Sequence, residues 1–220
     1  MFNYPIFIYG AGGMAREVLT IYEDMDELDK ITGFVEDNSN KVGSLMNKKP
    51  VYDANYMNTL SSSKKIGVII AIGSTKRVKV VKRLENDKFL FEKVIHPSAL
   101  LHKTVQIGQG TIICAGVILT SNIIIRDHVI LNLSSSISHD SIINSFTTIS
   151  SGARISGNVK IGERVFIGNN ASINEGLKIG DGAIIAAGAV VTEEVPELAL
   201  ITGIPGKIKK IYNNFDERPW

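Results

Sequence analysis

The chain has 220 residues, enough for one large domain or two small ones with a buried core. Its 24 basic and 22 acidic residues give a formal net charge of +2, and this near balance argues against a dedicated nucleic-acid binder, which would need a basic surface excess. A single cysteine, Cys114, excludes an intramolecular disulfide framework, and its neighbours Ile112, Ile113 and Ala115 favour a packing role for it.

The first apolar run, PIFIY at residues 5–9, stops at the glycine turn Gly10–Gly13. The run is too short to cross a membrane and no basic segment precedes it, so we expect a cytoplasmic protein with neither a signal peptide nor a membrane span. The next segment, MAREVLTIYEDM, carries apolar residues at helical spacing. A strand, a tight turn and a helix are therefore predicted in that order.

The same alternation continues along the chain. Strands are predicted at residues 31–37 and 65–73, and a helix at residues 75–87. Strands that alternate with helices indicate a small parallel α/β domain, which we place at residues 1–95.

The glycine turn is a candidate site for an anion, because it presents backbone N–H groups and a helix N-terminus. Gly10, Gly12 and Ala15 satisfy the dinucleotide fingerprint G-x-G-x-x-G/A. Glu36 and Asp37 follow about one βαβ step later, where they could meet ribose hydroxyls. A domain that ends near residue 95 is too short for both halves of a dinucleotide fold, so we favour one nucleotide half-site over NAD. The alternative is that the glycines only let the helix pack against the sheet.

An aliphatic residue recurs at every sixth position from Leu101 to Val191, sixteen times in succession. Helical faces repeat every 3.6 residues and strands every two, so neither explains this period. A six-residue repeat is typical of a parallel β-helix, in which each repeat makes one flat side and one corner. Three sides make a coil of 18 residues, and residues 101–190 therefore predict five coils with the repeated aliphatic side chains inside.

Four histidines are candidates for chemistry. His96 lies at the start of the repeats, in a linker position. His102 and His128 lie beside charged residues, and we expect both side chains to be exposed.

His139 differs from the other three because Asp140 follows it directly. Its position one coil later is Gly157, which leaves space above the ring. An imidazole can accept a proton near neutral pH, and a carboxylate on the other ring nitrogen would fix its tautomer. The alternative is that His139 is a solvated corner residue without a catalytic role.

Two other functions are compatible with the same fold. A γ-type carbonic anhydrase needs three histidines around a zinc ion. His128 and His139 are eleven residues apart and therefore lie in different columns, and no third histidine follows, so we expect no metal. A non-catalytic scaffold predicts that His139→Ala leaves every activity unchanged.

The complete layout resembles the hexapeptide-repeat sugar acetyltransferases, a family that includes bacillosamine-pathway N-acetyltransferases and sialic acid O-acetyltransferases. The resemblance covers about residues 4–212 and is carried by IYGAGG (8–13), FVED (34–37), AIG (71–73), HPSA (96–99), ILNLSSSISHD (130–140), SGNVKIG (156–162) and GIPGK (203–207). It implies a nucleotide-sugar-binding α/β domain over 1–95, a left-handed parallel β-helix over 96–212, and a homotrimer without nucleic-acid or membrane partners. The tail, 213–220, has no counterpart.

The resemblance also implies an activity. Acetyl-CoA would acetylate the amino group of a nucleotide-linked 4-amino deoxysugar in surface-polysaccharide or glycan biosynthesis. His139 would be the general base and Asp140 its orienting carboxylate, and the Gly157 N–H would stabilise the thioester oxyanion. Asn132 would lie near the acceptor sugar, and Lys207 could meet coenzyme phosphates. The nucleotide sugar would be held by Gly10, Gly12, Gly13, Glu36, Asp37 and Gly73.

Two departures from the bacillosamine-type pattern leave the acceptor open. Those members carry a second histidine nine residues after the base, where this chain has Thr148, whose hydroxyl could still donate to the cofactor. They often place a histidine in the glycine turn, where this chain has Met14. The nucleotide (UDP, dTDP, GDP or CMP) and the sugar therefore stay open, and a sialic acid O-acetyltransferase is the alternative function.

Overall fold

The computed structural model describes residues 4–219. It divides into two compact units, the first ending at Pro97 and the second beginning at Ser98. The predicted fold class is confirmed, because an α/β unit is followed by a long series of short, repeating parallel strands. Within the described residues, no helix is long and apolar enough to cross a membrane.

The first unit is built around a parallel sheet. Its elements are β1 (Ile6–Tyr9), α1 (Gly13–Asp24), a 3₁₀ turn (Leu28–Lys30), β2 (Ile31–Val35), β3 (Leu45–Met46), β4 (Lys49–Tyr52), α2 (Ala54–Leu60), β5 (Ile66–Ile70), a second 3₁₀ turn (Thr75–Arg77), α3 (Val78–Leu84), β6 (Phe89–Phe91) and β7 (Val94–Ile95). The sheet order is β3-β4-β2-β1-β5-β6, and only the β3–β4 pair is antiparallel. β1 and β5 are buried throughout, as expected for central strands of a parallel sheet.

The second unit contains a strand in nearly every repeat. Its elements are β8 (Leu100–Leu101), β9 (Gln106–Ile107), β10 (Ile112–Ile113), β11 (Ile118–Leu119), β12 (Ile124–Ile125), β13 (Ile130–Leu131), β14 (Ser136–Ile137), β15 (Ile142–Ile143), β16 (Thr148–Ile149), β17 (Arg154–Ile155), β18 (Lys160–Ile161), β19 (Phe166–Ile167), β20 (Ser172–Ile173), β21 (Lys178–Ile179), β22 (Ile184–Ile185), β23 (Val190–Val191), β24 (Ala199–Thr202) and β25 (Lys207–Ile211).

These strands form the three sides of a prism. The first side contains β10, β13, β16, β19 and β22, the second contains β8, β11, β14, β17, β20 and β23, and the third contains β9, β12, β15, β18 and β21. From β8 to β20, each strand residue pairs in parallel with the residue 18 positions later, as Leu131 does with Ile149. The repeated aliphatic side chains are buried from Ile113 onward, whereas Leu101 and Ile107 in the first coil are half-buried. Cys114 is also buried, as its packing role requires.

The corners share a backbone conformation that was not predicted from the sequence. The third residue after each aliphatic position has a positive φ in every repeat from Gly110 to Gly188. Glycine, asparagine, aspartate and histidine adopt this left-handed conformation more readily than other residues, but Phe146 and Arg164 also adopt it here. The geometry of the coil therefore sets φ at the corners, even for residues whose side chains disfavour a left-handed backbone.

His128 contradicts the prediction that its side chain is exposed. Only 3% of its surface is accessible, and its ring stacks on that of Phe146 with centroids 5.2 Å apart. A Cβ on Gly110, one coil earlier, would lie 2.2 Å from Nδ1 of His128, so the glycine leaves the space that the ring fills. The side chain is thus a packed corner residue, whereas His102 is exposed as predicted.

The C-terminal tail packs against the prism at the corner where the third side meets the first. The Phe215 ring lies over Gly182, and the Arg164 guanidinium lies 3.8 Å from the centre of that ring. Arg218 is buried and donates to the backbone carbonyls of Arg164 (2.9 Å) and Gly182 (2.8 Å). Burial lowers the Arg218 pKa to about 10.

Thr147 offers a test of how the coils are held together. Its buried hydroxyl donates to the Gly162 carbonyl (2.8 Å) and accepts from the Val165 N–H (3.1 Å). Thr147→Val keeps the shape but leaves both backbone groups without this partner, and we expect it to lower the free energy of unfolding by about 1–3 kcal/mol. Denaturant unfolding measures the loss. Thr147→Ser, which keeps the hydroxyl, should lose less, and equal stability of the valine variant and the wild type would contradict the prediction.

Candidate active site

His139 and Asp140 form a hydrogen-bonded pair at the corner between β14 and β15. Nδ1 of His139 lies 2.9 Å from Oδ2 of Asp140, and the side chain of His139 is 51% exposed. Because a carboxylate accepts and does not donate, this contact favours a proton on Nδ1 and leaves the lone pair of Nε2 open. The hydrogen bond with His139, followed by one from Asn122, holds the pKa of the Asp140 carboxyl below its usual value.

Gly157 lies directly against the imidazole ring. A Cβ built on this glycine would be 2.5 Å from Cε1 and 2.6 Å from Nε2 of His139. Any side chain here would force the ring to move. As predicted, the glycine one coil after His139 therefore leaves the space that the imidazole ring needs.

The backbone N–H of Gly157 is available as a donor. The N–H groups at the same position of two other repeats, Gln109 and Glu163, donate to the carboxylates of Asp127 and Asp181, one coil later, at 2.9 Å. Among residues 4–219, no acceptor takes the corresponding hydrogen of Gly157. A donor of this kind beside an imidazole suits an oxyanion.

Asn132 and Thr148 do not lie at this corner. Asn132 follows β13 and His139 follows β14, so one flat side of the coil separates them. Thr148 lies in β16 on the first side and is only 2% exposed. The prediction that its hydroxyl contacts the cofactor is not supported, because that hydroxyl has almost no accessible surface in the chain.

Lys207 lies at the far end of the edge that carries His139. Its Nζ is 3.5 Å from Oε1 of Glu193, an exposed ion pair. Glu193 occupies the His139 position three coils later, after Gly157 and Glu175. Three rungs of about 4.8 Å each separate the two levels by roughly 14 Å.

In the first unit, the predicted nucleotide-binding residues line one cavity of about 340 Å³. The lining comprises Tyr9, Gly10, Ala11, Gly12, Gly13, Met14, Glu36, Asp37, Lys41, Ala71, Ile72 and Gly73. α1 begins here with Gly12 as its N-cap, and no side chain caps it. The cavity therefore meets an open helix N-terminus, which favours an anion.

Glu36 and Asp37 have partners that the sequence does not predict. Oε2 of Glu36 accepts from the Ala11 N–H (3.1 Å) and Oε1 from the Asp37 N–H (2.9 Å), so Glu36 fixes the glycine turn as well as lining the cavity. Asp37 accepts from the Tyr9 hydroxyl (2.6 Å) and pairs with Arg83 (2.9 Å). Burial would raise the Asp37 pKa, but the hydrogen bonds from Tyr9 and Arg83 outweigh it and hold the pKa below its usual value.

Two cationic side chains near this site were not predicted from the sequence. Lys41 is the one cationic side chain among the residues that line the cavity, and its Nζ donates to the Ala11 carbonyl (2.9 Å). Arg83 lines an adjoining cavity of about 460 Å³ on the other side of Glu36 and Asp37. Neither residue belongs to a motif, since one lies in an irregular loop and the other on α3.

The described residues contain no group of three or more histidine, cysteine, aspartate or glutamate side chains that could hold a metal ion. The polar groups found at the His139 corner are an imidazole, a carboxylate and a backbone N–H.

Two family models match the chain. Residues 5–84 match the PglD N-terminal domain, and residues 158–193 match the bacterial transferase hexapeptide (six repeats). Among curated proteins, none matches.

Several solved structures are similar over nearly the whole chain. WeeI from Acinetobacter baumannii AYE is 32% identical with a TM-score of 0.83, over 94% of this chain and 100% of that one. A histidine-to-asparagine mutant of perosamine N-acetyltransferase from Caulobacter crescentus, in complex with CoA and GDP-perosamine, is 27% identical with a TM-score of 0.88, over 94% and 98%. The acetyltransferase domain of PglB from Neisseria gonorrhoeae, in complex with acetyl coenzyme A, is 27% identical with a TM-score of 0.83, over 94% and 99%.

Proposed function

This chain belongs to the hexapeptide-repeat sugar acetyltransferases, and from that premise we propose that it transfers the acetyl group of acetyl-CoA to the amino group of a nucleotide-linked amino sugar. The observation that carries the proposal is the His139 ring, tied to Asp140 through Nδ1 and open at Nε2 beside the free N–H of Gly157. The relatives named above support the substrate class, since one holds CoA and GDP-perosamine and another acetyl coenzyme A.

The reaction needs one base and one oxyanion donor. The amine of the sugar attacks the thioester carbonyl and gives its proton to Nε2 of His139, while Asp140 stabilises the imidazolium that forms. The carbonyl oxygen becomes an oxyanion and accepts from the Gly157 N–H. Collapse of the tetrahedral intermediate breaks the C–S bond, completes the amide, and returns the proton from His139 to the departing thiolate.

We propose that the donor lies along the His139 edge. With the thioester at Gly157, the rest of acetyl-CoA extends over the next two coils toward Lys207, roughly 10 Å away by rung spacing. The Lys207 ammonium is exposed and its single carboxylate partner is a weak surface contact, so it is free to exchange that partner for a phosphate.

We propose that the glycine-turn cavity holds the diphosphate of the acceptor. The uncapped start of α1, Gly10–Gly13 and the Lys41 ammonium are the groups that suit two phosphates. Gly73, Glu36 and Asp37 complete the lining, and the GDP-perosamine bound in the similar structure from Caulobacter crescentus supports a nucleotide-linked ligand.

We propose that the chain forms a homotrimer, in which a second prism would bring the Asn132 corner of one chain against the His139 corner of another. The outer face of the second side offers Leu100, 65% exposed, paired in register with Ile118, 41% exposed. Apolar side chains on adjacent rungs suit contact with another copy. Sedimentation of the purified chain tests the assembly.

Lys41 provides a test of the acceptor site. Lys41→Ala should weaken the binding of a nucleoside diphosphate about tenfold, because one charge-assisted hydrogen bond to phosphate is lost. Titration calorimetry with UDP, GDP and dTDP measures the change. Lys41→Gln, which retains a donor for the Ala11 carbonyl but no charge, should also bind weakly, whereas Lys64→Ala on an exposed lysine should bind normally. Equal affinity for all four proteins would contradict the assignment.

The test of the function is thiol release from acetyl-CoA with a panel of acceptors. UDP-, dTDP- and GDP-linked 4-amino sugars, with GDP-perosamine among them, are compared with free sialic acid. We expect turnover with at least one amino sugar and no turnover with its 4-hydroxy analogue. Turnover with sialic acid alone would overturn the acceptor class.

A further inference from the structure

Asp140 belongs to a column of corner residues that are spaced 18 positions apart along the chain. Asn122 occupies the position of Asp140 one coil earlier, and both have left-handed backbones, with φ of 57° and 59°. Nδ2 of Asn122 donates to Oδ1 of Asp140 at 3.1 Å. Since a carboxylate only accepts, the amide must face it with its NH₂ group.

The two oxygens of Asp140 therefore have different partners. Oδ2 holds Nδ1 of His139, and Oδ1 holds Asn122. A carboxylate fixed at both oxygens cannot rotate without breaking one of these bonds. Asn122 is itself anchored, because its backbone N–H donates to Oγ1 of Thr104 (2.8 Å), one further coil back.

We propose that Asn122 is a positioning residue, which fixes the plane of the Asp140 carboxylate and through it the tautomer and orientation of the His139 ring. The inference deepens the proposed function, since it assigns Asn122 to the machinery of the proposed base. Asn122 touches neither His139 nor the reacting atoms in this arrangement; its whole effect passes through Asp140.

Two substitutions separate this role from a structural one. Asn122→Gly keeps the left-handed backbone and the N–H to Thr104 but removes the donor to Asp140. Asn122→Asp keeps the shape but places a second carboxylate against the first. Asn170→Gly is the matched control, because Asn170 is an exposed asparagine at another corner with a φ of 55°.

The decisive measurement does not depend on turnover. Long-range ¹⁵N–¹H spectra of histidine-labelled protein, at a pH high enough to deprotonate the ring, report which nitrogen of His139 carries the proton. The signal is assigned by its loss in His139→Ala. We expect the Nδ1–H form in the wild type and in Asn170→Gly, and a shift toward the Nε2–H form in both Asn122 variants.

Kinetics provide the second readout. With acetyl-CoA and GDP-perosamine, or whichever amino sugar the panel identifies, kcat should fall about fivefold in Asn122→Gly, the equivalent of one hydrogen bond, while the KM for acetyl-CoA stays unchanged. Asn122→Asp should fall further. An unchanged tautomer in both Asn122 variants overturns the inference, whatever happens to kcat. If no amino sugar is turned over, the proposed function fails, and the spectra still decide the role of Asn122.

Discussion

His139→Ala is expected to lower kcat/KM for the amino sugar by about a thousandfold, within the range that a general base contributes. The variant lacks the imidazole that takes the proton from the attacking amine, and the remaining Asp140 carboxylate, whose pKa lies below its usual value, is a much weaker base. The side chain is about half exposed and its bonds are to Asp140 alone, so the prism should keep its melting temperature. Thiol release from acetyl-CoA gives the rate, and thermal unfolding confirms that the fold is intact.

The control for this substitution is an exposed residue at another corner of the same prism. Gln109→Ala removes a side chain that lies at no predicted site, and we expect wild-type rates from it. A His139→Ala enzyme within tenfold of the wild type would remove His139 from the role of base. That result would favour one of two alternatives: His139 is a solvated corner residue without a catalytic role, or the chain is a non-catalytic scaffold.

The prism was predictable because one interior position in every repeat admits only an aliphatic residue. A side chain that points inward every six residues, with coils about 4.8 Å apart, must be apolar and of similar size to its neighbours. The aliphatic repeat from Leu101 to Val191 records this constraint directly. The corners were not predictable from residue type, since left-handed φ values at Phe146 and Arg164 are set by the coil and not by the side chain.

The error at His128 has a specific cause. Its charged neighbour Asp127 suggests exposure along the chain, whereas burial comes from residues one coil away in the same column. Comparing positions 18 apart places Phe146 after His128 and Gly110 before it, which is the arrangement that buries the ring. The same comparison pairs Asn122 with Asp140, so this contact could also have been found.

The glycine-turn cavity was predicted for its backbone and its carboxylates but not for its cationic side chains. A tight turn needs glycine, and the fingerprint therefore survives in the sequence. The positions of Lys41 and Arg83 depend on how a loop and a helix fold back toward Glu36 and Asp37, at separations that no motif fixes. Long-range pairs of this kind follow from tertiary packing alone.

Gly157→Ala is the second substitution with a large expected effect, about a hundredfold in kcat, because small displacements of a catalytic group are costly. The new Cβ would lie 2.5 Å from Cε1 of His139, and the exposed ring is the part free to move. Rotation of the ring breaks its bond to Asp140 and turns Nε2 away from the acceptor. We expect the melting temperature to change little, and the KM for acetyl-CoA to rise if the coenzyme also lies against Gly157.

A double-mutant cycle shows whether the glycine acts through the imidazole. If the clash with His139 is the cause, Gly157→Ala should have almost no further effect on kcat in the His139→Ala background, since the ring that it displaces is already absent. Equal losses of kcat in both backgrounds would mean that the new methyl group acts on acetyl-CoA or on the free N–H of residue 157 instead. The cycle therefore separates the space that glycine leaves for the base from the hydrogen bond that its backbone gives to the oxyanion.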